Sequence, residues 1–423
     1  MIALARRLGQ NYAYVVAGVI FVALLASAGL RSAPGVMIVP LERAFGWSRD
    51  VISLSAAVGI FLYGLAGPFA AALMQRFGIR RVLVTALVLM AASTAASALM
   101  TRPLHLILTW GVLSGLGSGC VAMVLGAMVV NRWFVARRGL VMGLLTASTA
   151  TGTLIFMPML AALAESGGWR PVVLVVAAAS AALIPLALWL LPERPADVGL
   201  KPYGAAADAT VRPEPAADGL LQAAFGTLAR ATKRRDFWFL IGTFFICGFT
   251  TNGLVGTHFI ALCSDRGLAE VQAAGLLAAM GAFDLIGTTL SGWLTDRYDP
   301  RKLLFMYYGL RGLSLMFLPF SDFSFYSLGV FTVFYGLDWI ATVPPTLKLA
   351  NESFGEHEAP IVFGWIVAGH QLGAAAAAFF AGAMRTVQGD YFYAFLIAGG
   401  TGLVAAVLAL QVRGTRHPRL AVA

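Results

Sequence analysis

The sequence predicts an all-α membrane protein whose twelve transmembrane helices form two pseudo-symmetric six-helix bundles. Its composition is the first observation behind this fold class, because 59% of the 423 residues are hydrophobic and only 12% are charged. Soluble domains carry about twice that charged fraction, roughly 25%. The second observation is that apolar runs of about 20 residues, enough for a helix to cross about 30 Å of hydrocarbon, recur along the whole chain. A transmembrane barrel would show short alternating segments instead.

Twelve candidate spans follow one another in the sequence. The first comes after a basic N-terminal segment, and its apolar run is too long for the core of a signal peptide, so we interpret it as a span that is retained. The expected spans are 12–40, 48–74, 80–100, 104–130, 139–164, 169–191, 237–262, 268–295, 302–320, 324–347, 359–384 and 390–412.

Basic residues are distributed unequally between the two sides that these spans define. An even number of spans places both termini on one side, and that side carries 22 of the 30 Lys and Arg residues, against 6 in the other loops. The positive-inside bias therefore predicts cytoplasmic termini, and we expect a multi-pass protein of a bacterial inner membrane. The same placement accounts for the net charge of +10 without a nucleic-acid partner.

The longest loop divides the spans into two sets of six. Its middle, PYGAAADATVRPEPAADG, is rich in Pro and Ala and is typical of a disordered linker. After it, Leu221, Phe225 and Leu228 recur at helical spacing and predict an interfacial helix on the inner leaflet. The predicted domains are an N-terminal bundle, a cytoplasmic linker and a C-terminal bundle, at residues 1–191, 192–236 and 237–423.

The two halves also look like repeats. AALMQRFGIRRVL follows the second span, and SGWLTDRYDPRKLL follows the eighth, about 221 residues later. In the same way NRWFVARRGLVMG precedes the fifth span and NESFGEHEAPIVFG precedes the eleventh. Two homologous six-span bundles around a central pathway are one transporter architecture, which supports alternating access.

One of these loops carries a family resemblance. GWLTDRYDPRK resembles the loop signature of the major facilitator superfamily, although Asp299-Pro300 replaces the usual glycine and Gln75 stands where the first copy should be acidic. Within that superfamily, RWFVARRGLVMGLLTASTATG with GGWR and PERPADVGLKPYG resembles the monocarboxylate porter family, which includes proton-linked lactate and pyruvate transporters and oxalate/formate-type antiporters. The resemblance implies a secondary transporter of small monocarboxylates with proton symport; an organic-anion exchanger or a drug or metabolite exporter is the alternative.

The resemblance also implies site residues. An intramembrane basic residue followed by Ser on the first helix is tied to substrate and proton binding in this family, and Arg31-Ser32 occupies that place. The family's acidic-basic pair on the eighth helix is matched only by Asp284, because Thr288 stands at the basic position. Arg311 on the ninth helix is the candidate substitute. Where oxalate exchangers use a further cation late in the chain, this sequence has His370 beside Gln371.

Four charged residues fall inside the predicted spans: Arg31, Asp284, Arg311 and Asp338. Each costs about 2.5–3.5 kcal/mol at a helix centre, so all four are expected to be paired or reachable by water or substrate. By helical rise the last three lie about 15–18 Å from the cytoplasmic ends of their spans. Two hypotheses follow: a static salt-bridge clamp, or a proton-coupling cluster in which a substrate anion competing for the arginine frees a carboxylate to bind a proton.

Arg31 also allows two interpretations. Its side chain could extend to the outer surface, because 19 apolar residues before it already suffice for a span. Alternatively, the apolar run continues past it, and Pro34 is expected to loosen the helix as in transporter binding sites. Because an arginine stays charged and grips a carboxylate with two donors, the second interpretation predicts a small organic anion bound at Arg31 in a central cavity.

The remaining candidates are weaker. The complete set of predicted substrate-binding residues is Arg31, Asn252, His258, His370, Gln371, Tyr335 and Thr149. For Thr149 and Tyr335 the alternative is helix packing, and for His258 it is a structural role. Basic and acidic loops at matching repeat positions could pair as a cytoplasmic gate, or could serve topology alone. The predicted gating set, with the loop signatures included, is Asp296, Arg297, Arg76, Arg137, Arg138 and Glu356.

Other classes of protein are disfavoured by what the sequence lacks. It has no phosphate-binding loop of the form GxxxxGK[ST], no metal-ligand cluster and no catalytic Ser/His/Asp set, so we expect no cofactor, no metal and no enzymatic activity. Three cysteines fit no metal spacing and are expected to be small core residues. The expected partners are a small organic anion, a proton and the lipid bilayer, and the chain is expected to be a monomer.

Overall fold

The computed structural model describes residues 2–205 and 220–413. Within these ranges the chain is helical, with one isolated β-bridge between Phe134 and Tyr203. Twelve helical segments there are long and apolar enough to cross a membrane, which confirms the predicted fold class. These spans are Ile2–Phe45, Arg49–Gly67, Ile79–Ser97, Pro103–Trp133, Leu140–Gly167, Trp169–Leu190, Arg235–Asp265, Glu270–Arg297, Pro300–Phe320, Phe325–Gly355, Glu358–Gln388 and Phe392–Ala409.

Several spans contain more than one helical element. The helices of the first half are Ile2–Leu8, Gly9–Asn11, Tyr12–Phe45, Arg49–Phe77, Ile79–Ser97, Pro103–Leu106, Ile107–Leu113, Ser114–Cys120, Met123–Trp133, Arg138–Gly167, Trp169–Leu190 and Pro195–Val198. Those of the second half are Leu220–Ala231, Arg235–Gly248, Phe249–Val255, Gly256–Asp265, Glu270–Arg297, Pro300–Phe317, Leu318–Phe320, Phe325–Asp338, Val343–Gln388, which kinks at Gly355, and Phe392–Ala409.

By compactness the chain forms two units: residues 1–221 with 269–278, and residues 222–268 with 279–423. In the first unit the first span packs on the fifth and sixth, the second on the fourth and the third on the sixth. In the second unit the seventh packs on the eleventh and twelfth, the eighth on the tenth and the ninth on the twelfth. The same pairs therefore recur six spans later, as internal repeats require. The separation of residues 192–236 as an independent linker stays a prediction.

The first span is one continuous helix from Tyr12 to Phe45, preceded by two short helical turns. The sequence led us to expect a loosened helix at Pro34, but the helix does not loosen there. A proline removes only its own bond, here the one to the carbonyl of Leu30, and the helix is regular on both sides. Arg31 lies 14 residues before the end of this helix, which is about 21 Å of helical rise.

Two spans contain a wider π-helical turn, at Ile107–Leu113 and at Phe249–Val255. The second of these includes Asn252, whose carbonyl accepts a hydrogen bond from the Thr257 hydroxyl at 2.9 Å. Such turns expose backbone and re-aim side chains, and they are frequent at functional sites. The seventh span is thus locally widened at one of the polar residues that the sequence singled out.

The two repeat loops end their helices in different ways. In the first, Gly78 alone links two helices at φ +93°, a conformation that favours glycine. The Glu193 carboxylate accepts from the amides of Ile79 and Arg80 at 2.6 and 2.9 Å, so a distant acid caps the third span. In the second, Asp299 caps the amide of Arg301 at 3.0 Å.

These caps explain why the two loops can differ from the loop signature at Gln75 and at Asp299-Pro300. Pro300 occupies the first helical position, where its missing N–H costs no hydrogen bond, and Asp299 supplies the preferred capping oxygen. Near the first loop, where Gln75 replaces the usual acid, the carboxylate comes instead from Glu193 of PERPADVG. Each loop therefore keeps an acidic cap at the helix N-terminus, where negative charge is stabilising.

The prediction of disorder over PYGAAADATVRPEPAADG is wrong at its beginning. The amide of Tyr203 donates to the carbonyl of Trp133 at 2.7 Å, and its ring lies 5.0 Å from that of Tyr14. The backbone of Tyr203 thus pairs with one neighbouring segment, residues 133–136, and its ring packs on Tyr14, which together order this Pro-Gly segment. Residues 206–219 lie outside the described residues.

The linker helix, Leu220–Ala231, is present where the apolar spacing predicted a helix. It packs on the second unit, where Leu228 and Ala231 join the core cluster around Phe237 and the Phe225 ring lies 5.5 Å from Trp365. Its position on the inner leaflet stays a prediction.

Candidate functional site

Arg31 is half-buried in the first unit, and its guanidinium lies over an aromatic face. Its Cζ is 4.6 Å from the ring centroid of Tyr63 on the second span. Within residues 2–205 and 220–413, no carboxylate lies within ion-pairing distance of it. A guanidinium stacked on a ring keeps its N–H donors free around the edge. Arg31 is therefore a cation whose contact partner in the protein is neutral.

The backbone just before Arg31 packs closely against the fifth span. A Cβ atom on Gly29 would meet the Phe156 ring, and one on Gly152 would meet the backbone of Leu25. Only glycines allow the first and fifth spans to approach this closely. The crossing at Gly29 lies two residues before Arg31 and therefore constrains the backbone that carries its side chain.

The second unit contains a buried ion pair between Arg311 and Asp338. The Nε of Arg311 donates to Oδ2 of Asp338 at 2.6 Å, and both residues are at least 93% buried. The remaining guanidinium donors reach the carbonyls of Asp338 and Trp339 and the sulfur of Cys247, the last at 3.0 Å. Cys247 in turn contacts the Thr342 hydroxyl at 3.3 Å. Thus every edge of this guanidinium is occupied by protein.

Asp284 lies beside this pair without joining it. Its Oδ1 accepts from the Thr288 hydroxyl at 2.9 Å and from the Ile340 amide at 2.8 Å, and the residue is 4% exposed. Thr288, which replaces the family's basic residue, therefore contributes a neutral donor in place of a charge. Among the described residues, Oδ2 of Asp284 has no hydrogen-bond partner.

These three residues together contain more acid than base. One guanidinium faces one paired carboxylate, while the second carboxylate has only neutral donors. An uncompensated charge in a low-dielectric site is costly, so the cluster is balanced when it also holds one proton. The arrangement can therefore take up and release a proton at a carboxylate.

Asn252 and His370 approach each other across the seventh and eleventh spans. The Asn252 amide nitrogen is 3.4 Å from Nε2 of His370, while Nδ1 of the histidine is buried without a hydrogen-bond partner in the described part of the chain. A Cβ on Gly248 would clash with the backbone of His370, so glycine is needed for this contact. Gln371 follows on the same helix and is half-buried.

The other predicted substrate residues are engaged by the protein itself. His258 is fully buried, with Nδ1 3.2 Å from the Tyr391 hydroxyl and Nε2 2.8 Å from the Ala378 carbonyl. The Tyr335 hydroxyl donates to the Thr250 carbonyl at 2.6 Å. The Thr149 hydroxyl donates to its own helix, at Thr146. These contacts favour structural roles, and direct substrate contact by the three residues stays a prediction.

The predicted gating residues lie at the ends of their spans. Arg76 lies over the ring of Phe77, and Arg137 reaches the Tyr14 hydroxyl at 3.5 Å. Arg297 lies 4.1 Å from the Trp293 ring, next to the exposed Asp296. The side chains of Arg138 and Glu356 lie outside the described residues. The gate stays a prediction, since each of these contacts is local to one unit.

Sequence reasoning missed two members of the site. Tyr63 carries no signal in the sequence, because an aromatic residue in an apolar span is ordinarily packing. Cys247 was expected to be a small core residue; it is buried, but it also accepts a hydrogen bond from Arg311. Only the spatial meeting of the seventh and ninth spans reveals that role.

Comparisons with known proteins agree with this architecture. Residues 19–378 match the family model described as Major Facilitator Superfamily. The chain is 25% identical over 353 residues to the uncharacterized MFS-type transporter YcxA of Bacillus subtilis, covering 79% of each chain. It is 28% identical over 387 residues to monocarboxylate transporter 13 of Rattus norvegicus, covering 91% of this chain and 85% of that one.

Solved structures share the fold at low sequence identity. The crystal structure of a D-xylose-proton symporter superposes with a TM-score of 0.73 at 15% identity, covering 96% of this chain and 99% of that one. A bacterial homologue of the human lysosomal transporter Spinster gives a TM-score of 0.71, also at 15% identity, and covers 95% of both chains. At this identity the likeness concerns the fold alone. Since the family model covers most of the sequence, the chain belongs to the Major Facilitator Superfamily of membrane transporters.

Proposed function

We propose that this secondary transporter carries a small monocarboxylate, such as lactate or pyruvate, together with a proton by alternating access. The observation that carries the proposal is Arg31, a permanent cation deep in the first span whose partner is the neutral Tyr63 ring. A substrate carboxylate would supply the missing negative charge through two parallel hydrogen bonds. The name of the rat relative, a monocarboxylate transporter, supports the same substrate class.

Of the two arginines deep inside the described spans, Arg31 and Arg311, one is free to meet a substrate charge. Arg311 is already paired with Asp338 and surrounded by acceptors, so it offers no free donor edge for a second carboxylate. A dicarboxylate such as oxalate would leave one charge without a cation among the described residues. This difference favours a monoanion over a dianion.

Asp284 is the carboxylate best suited to carry the proton. Asp338 is paired through Oδ2 with the guanidinium of Arg311, although its Oδ1 has no hydrogen-bond partner in the described part of the chain, whereas Asp284 accepts only from neutral donors, both of them at Oδ1. Binding or loss of a proton at Oδ2 would therefore change its charge without breaking either of its hydrogen bonds. We infer that Asp284 is the proton-coupling residue and that Arg311 and Asp338 fix its surroundings.

Reconstituted protein tests the proposal. In proteoliposomes, labelled lactate or pyruvate should accumulate when the outside is made more acidic, and a protonophore should abolish the accumulation. Uptake that instead required internal anion and ignored the proton gradient would identify the alternative, an organic-anion exchanger. Absence of flux with any monocarboxylate, while larger amphiphiles move outward, would identify an exporter.

Substitution of Asp284 tests the coupling separately. Asp284→Asn keeps an acceptor for Thr288 and Ile340 but cannot change charge. We expect this variant to exchange substrate across the membrane yet fail to accumulate it under a proton gradient. The matched control is Asp322→Asn, which removes an exposed carboxylate from a loop cap and should leave accumulation unchanged. Proton-driven accumulation by Asp284→Asn would contradict the assignment.

The orientation in the membrane is part of the proposal. The excess of basic residues on the side of the two termini favours cytoplasmic termini, in a bacterial inner membrane. With that orientation an inward proton gradient would drive substrate import.

A further inference from the structure

We propose that the start of the seventh span carries a binding site for the headgroup of an anionic phospholipid. The site, called here the basic patch, consists of Lys233, Arg235 and Trp238. The basic patch does not include any of the proposed substrate-binding residues. We infer it from the segment TKRRDFW, in which some cations already have protein partners and others do not.

Two neighbouring arginines are already occupied by protein. Arg230 on the linker helix pairs with Glu358 at 2.8 Å. Arg234 donates to the carbonyl of Ser353, and its Cζ lies 5.7 Å from the Phe354 ring. These contacts fasten the linker helix and the turn after it to the second unit. They account for two of the four basic residues between Arg230 and Arg235.

Lys233 and Arg235 are left exposed. In the described part of the chain neither forms an ion pair or a hydrogen bond through its side chain, and Arg235 only lies over the Phe239 ring at 5.0 Å. The adjacent carboxylate of Asp236 does not neutralise them. Its oxygens accept from the Ser353 hydroxyl at 3.2 Å and from the amide of Arg413 at 3.1 Å. The hydrogen bond between the Arg413 amide and Asp236 also places the exposed Arg413 close to Arg235, which precedes Asp236 in the sequence.

Trp238 gives the basic patch an oriented aromatic member. It is 59% exposed, and its indole N–H donates to the carbonyl of Thr232 at 2.8 Å. Trp238 follows Arg235 by three residues on the same helix, so their side chains are neighbours. A tryptophan anchored by its polar edge at the end of a span is the arrangement found at the level of lipid headgroups.

These features together select a lipid over a soluble anion. Free cations near a membrane surface attract anionic headgroups, with a gain of about fivefold in binding for each Lys or Arg. An exposed indole beside them contributes only if the ligand also has an apolar part. A phospholipid such as phosphatidylglycerol offers a phosphate for Lys233 and Arg235 and acyl chains for Trp238.

Native mass spectrometry of the full-length protein in detergent can test this site. The protein is offered equal amounts of phosphatidylglycerol and phosphatidylcholine with the same acyl chains, and the retained lipid is counted. We expect wild type to retain phosphatidylglycerol preferentially and Lys233→Gln/Arg235→Gln to bind it about 25-fold more weakly. Trp238→Ala should weaken retention of both lipids, because it removes the apolar contact and no charge.

The matched control is Arg6→Gln/Arg7→Gln, which removes two exposed cations from the same predicted side of the membrane. This variant should retain phosphatidylglycerol like wild type. Equal losses in the two double variants would overturn the proposal in favour of general surface charge. Displacement of the lipid by millimolar glycerol phosphate would overturn it in favour of a free-phosphate site, and unchanged retention by Lys233→Gln/Arg235→Gln would overturn it outright.

Discussion

At the scale of single residues, the charged groups within the spans differ in what surrounds them. Arg311 has a carboxylate, two carbonyls and a thiol as partners, whereas Arg31 has one aromatic ring. Both were recognisable in the sequence as cations that need a partner. Which one already has it could not be predicted, because Asp338 and Cys247 come from other spans and periodicity does not report contacts between helices.

The buried pair makes a prediction about stability. Asp338→Asn leaves the guanidinium of Arg311 buried without its counter-ion, and breaking such a pair typically costs about 3–5 kcal/mol. Thermal or denaturant unfolding in detergent should show this loss. Asp284→Asn should be nearly as stable as wild type, because both its donors keep an acceptor.

A double variant separates charge from packing. Arg311→Gln/Asp338→Asn removes both charges together, so it should recover a large part of the loss seen with Asp338→Asn. If the double variant is no more stable than Asp338→Asn, the cost arises from packing and the ion pair is not the reason these residues coexist.

At the scale of elements, glycines decide how closely the spans approach. The seventh and eleventh spans meet at Gly248, where a Cβ would clash with the carbonyl and backbone of His370. Gly242, on the same helix, has open space around its Cα. The sequence shows many glycines in apolar runs, but their partners depend on helix rotation, and so the contact between Asn252 and His370 was not predictable.

The close approach can be tested with a pair of matched substitutions. Gly248→Ala should destabilise the protein by about 1–3 kcal/mol, because the helix backbones must separate, and should impair the approach of Asn252 to His370. Gly242→Ala should be neutral or stabilising by about 0.5–1 kcal/mol, the helix preference of Ala over Gly. Similar melting temperatures for the two variants would show that the close approach of the seventh and eleventh spans does not limit the stability of the protein.

The cap of the ninth span makes a prediction about pH. Hydrogen bonds from Arg301 lower the pKa of Asp299 below the ordinary value of about 3.9. A lowered pKa in the folded state means that the carboxylate stabilises the protein above pH 4 and loses this effect as the pH falls through the folded pKa. At pH 7, Asp299→Ala should cost about 1 kcal/mol, typical of a lost cap.

Unfolding of wild type and Asp299→Ala should therefore be compared at pH 7 and at pH 3. The difference between their melting temperatures should shrink at the lower pH. A difference that stays constant would mean that the charge of Asp299 is not what stabilises this helix terminus.

At the scale of the whole molecule, most of the architecture was predictable from the sequence. Twelve apolar runs and two repeat loops 221 residues apart predicted the fold class, since spanning length and repetition are properties of the chain itself. The order of PYG was not predictable, because it depends on Trp133 and other residues distant in sequence. The helix continuity through Pro34 was not predictable either, because a proline removes a single helical hydrogen bond and the sequence does not show whether the helix bends there.

Topology is a prediction at this scale too. A fluorescent protein fused after Ala423 should fold and fluoresce, and alkaline phosphatase at the same site should be inactive, because the excess of basic residues predicts a cytoplasmic C-terminus. Alkaline phosphatase inserted next to Thr101, between the third and fourth spans, should be active. The reverse pattern would invert the proposed orientation and the direction of transport.

The central claim is that Arg31 binds the substrate carboxylate, and direct binding measures it best. Isothermal titration of purified protein with pyruvate should show binding for wild type and a loss of about 10–150-fold for Arg31→Gln, the value of a charge-assisted hydrogen bond of about 1.5–3 kcal/mol. Arg31→Lys should lie between them, because it keeps the charge and loses the planar fork. Equal affinity of wild type and Arg31→Gln for pyruvate would contradict the account.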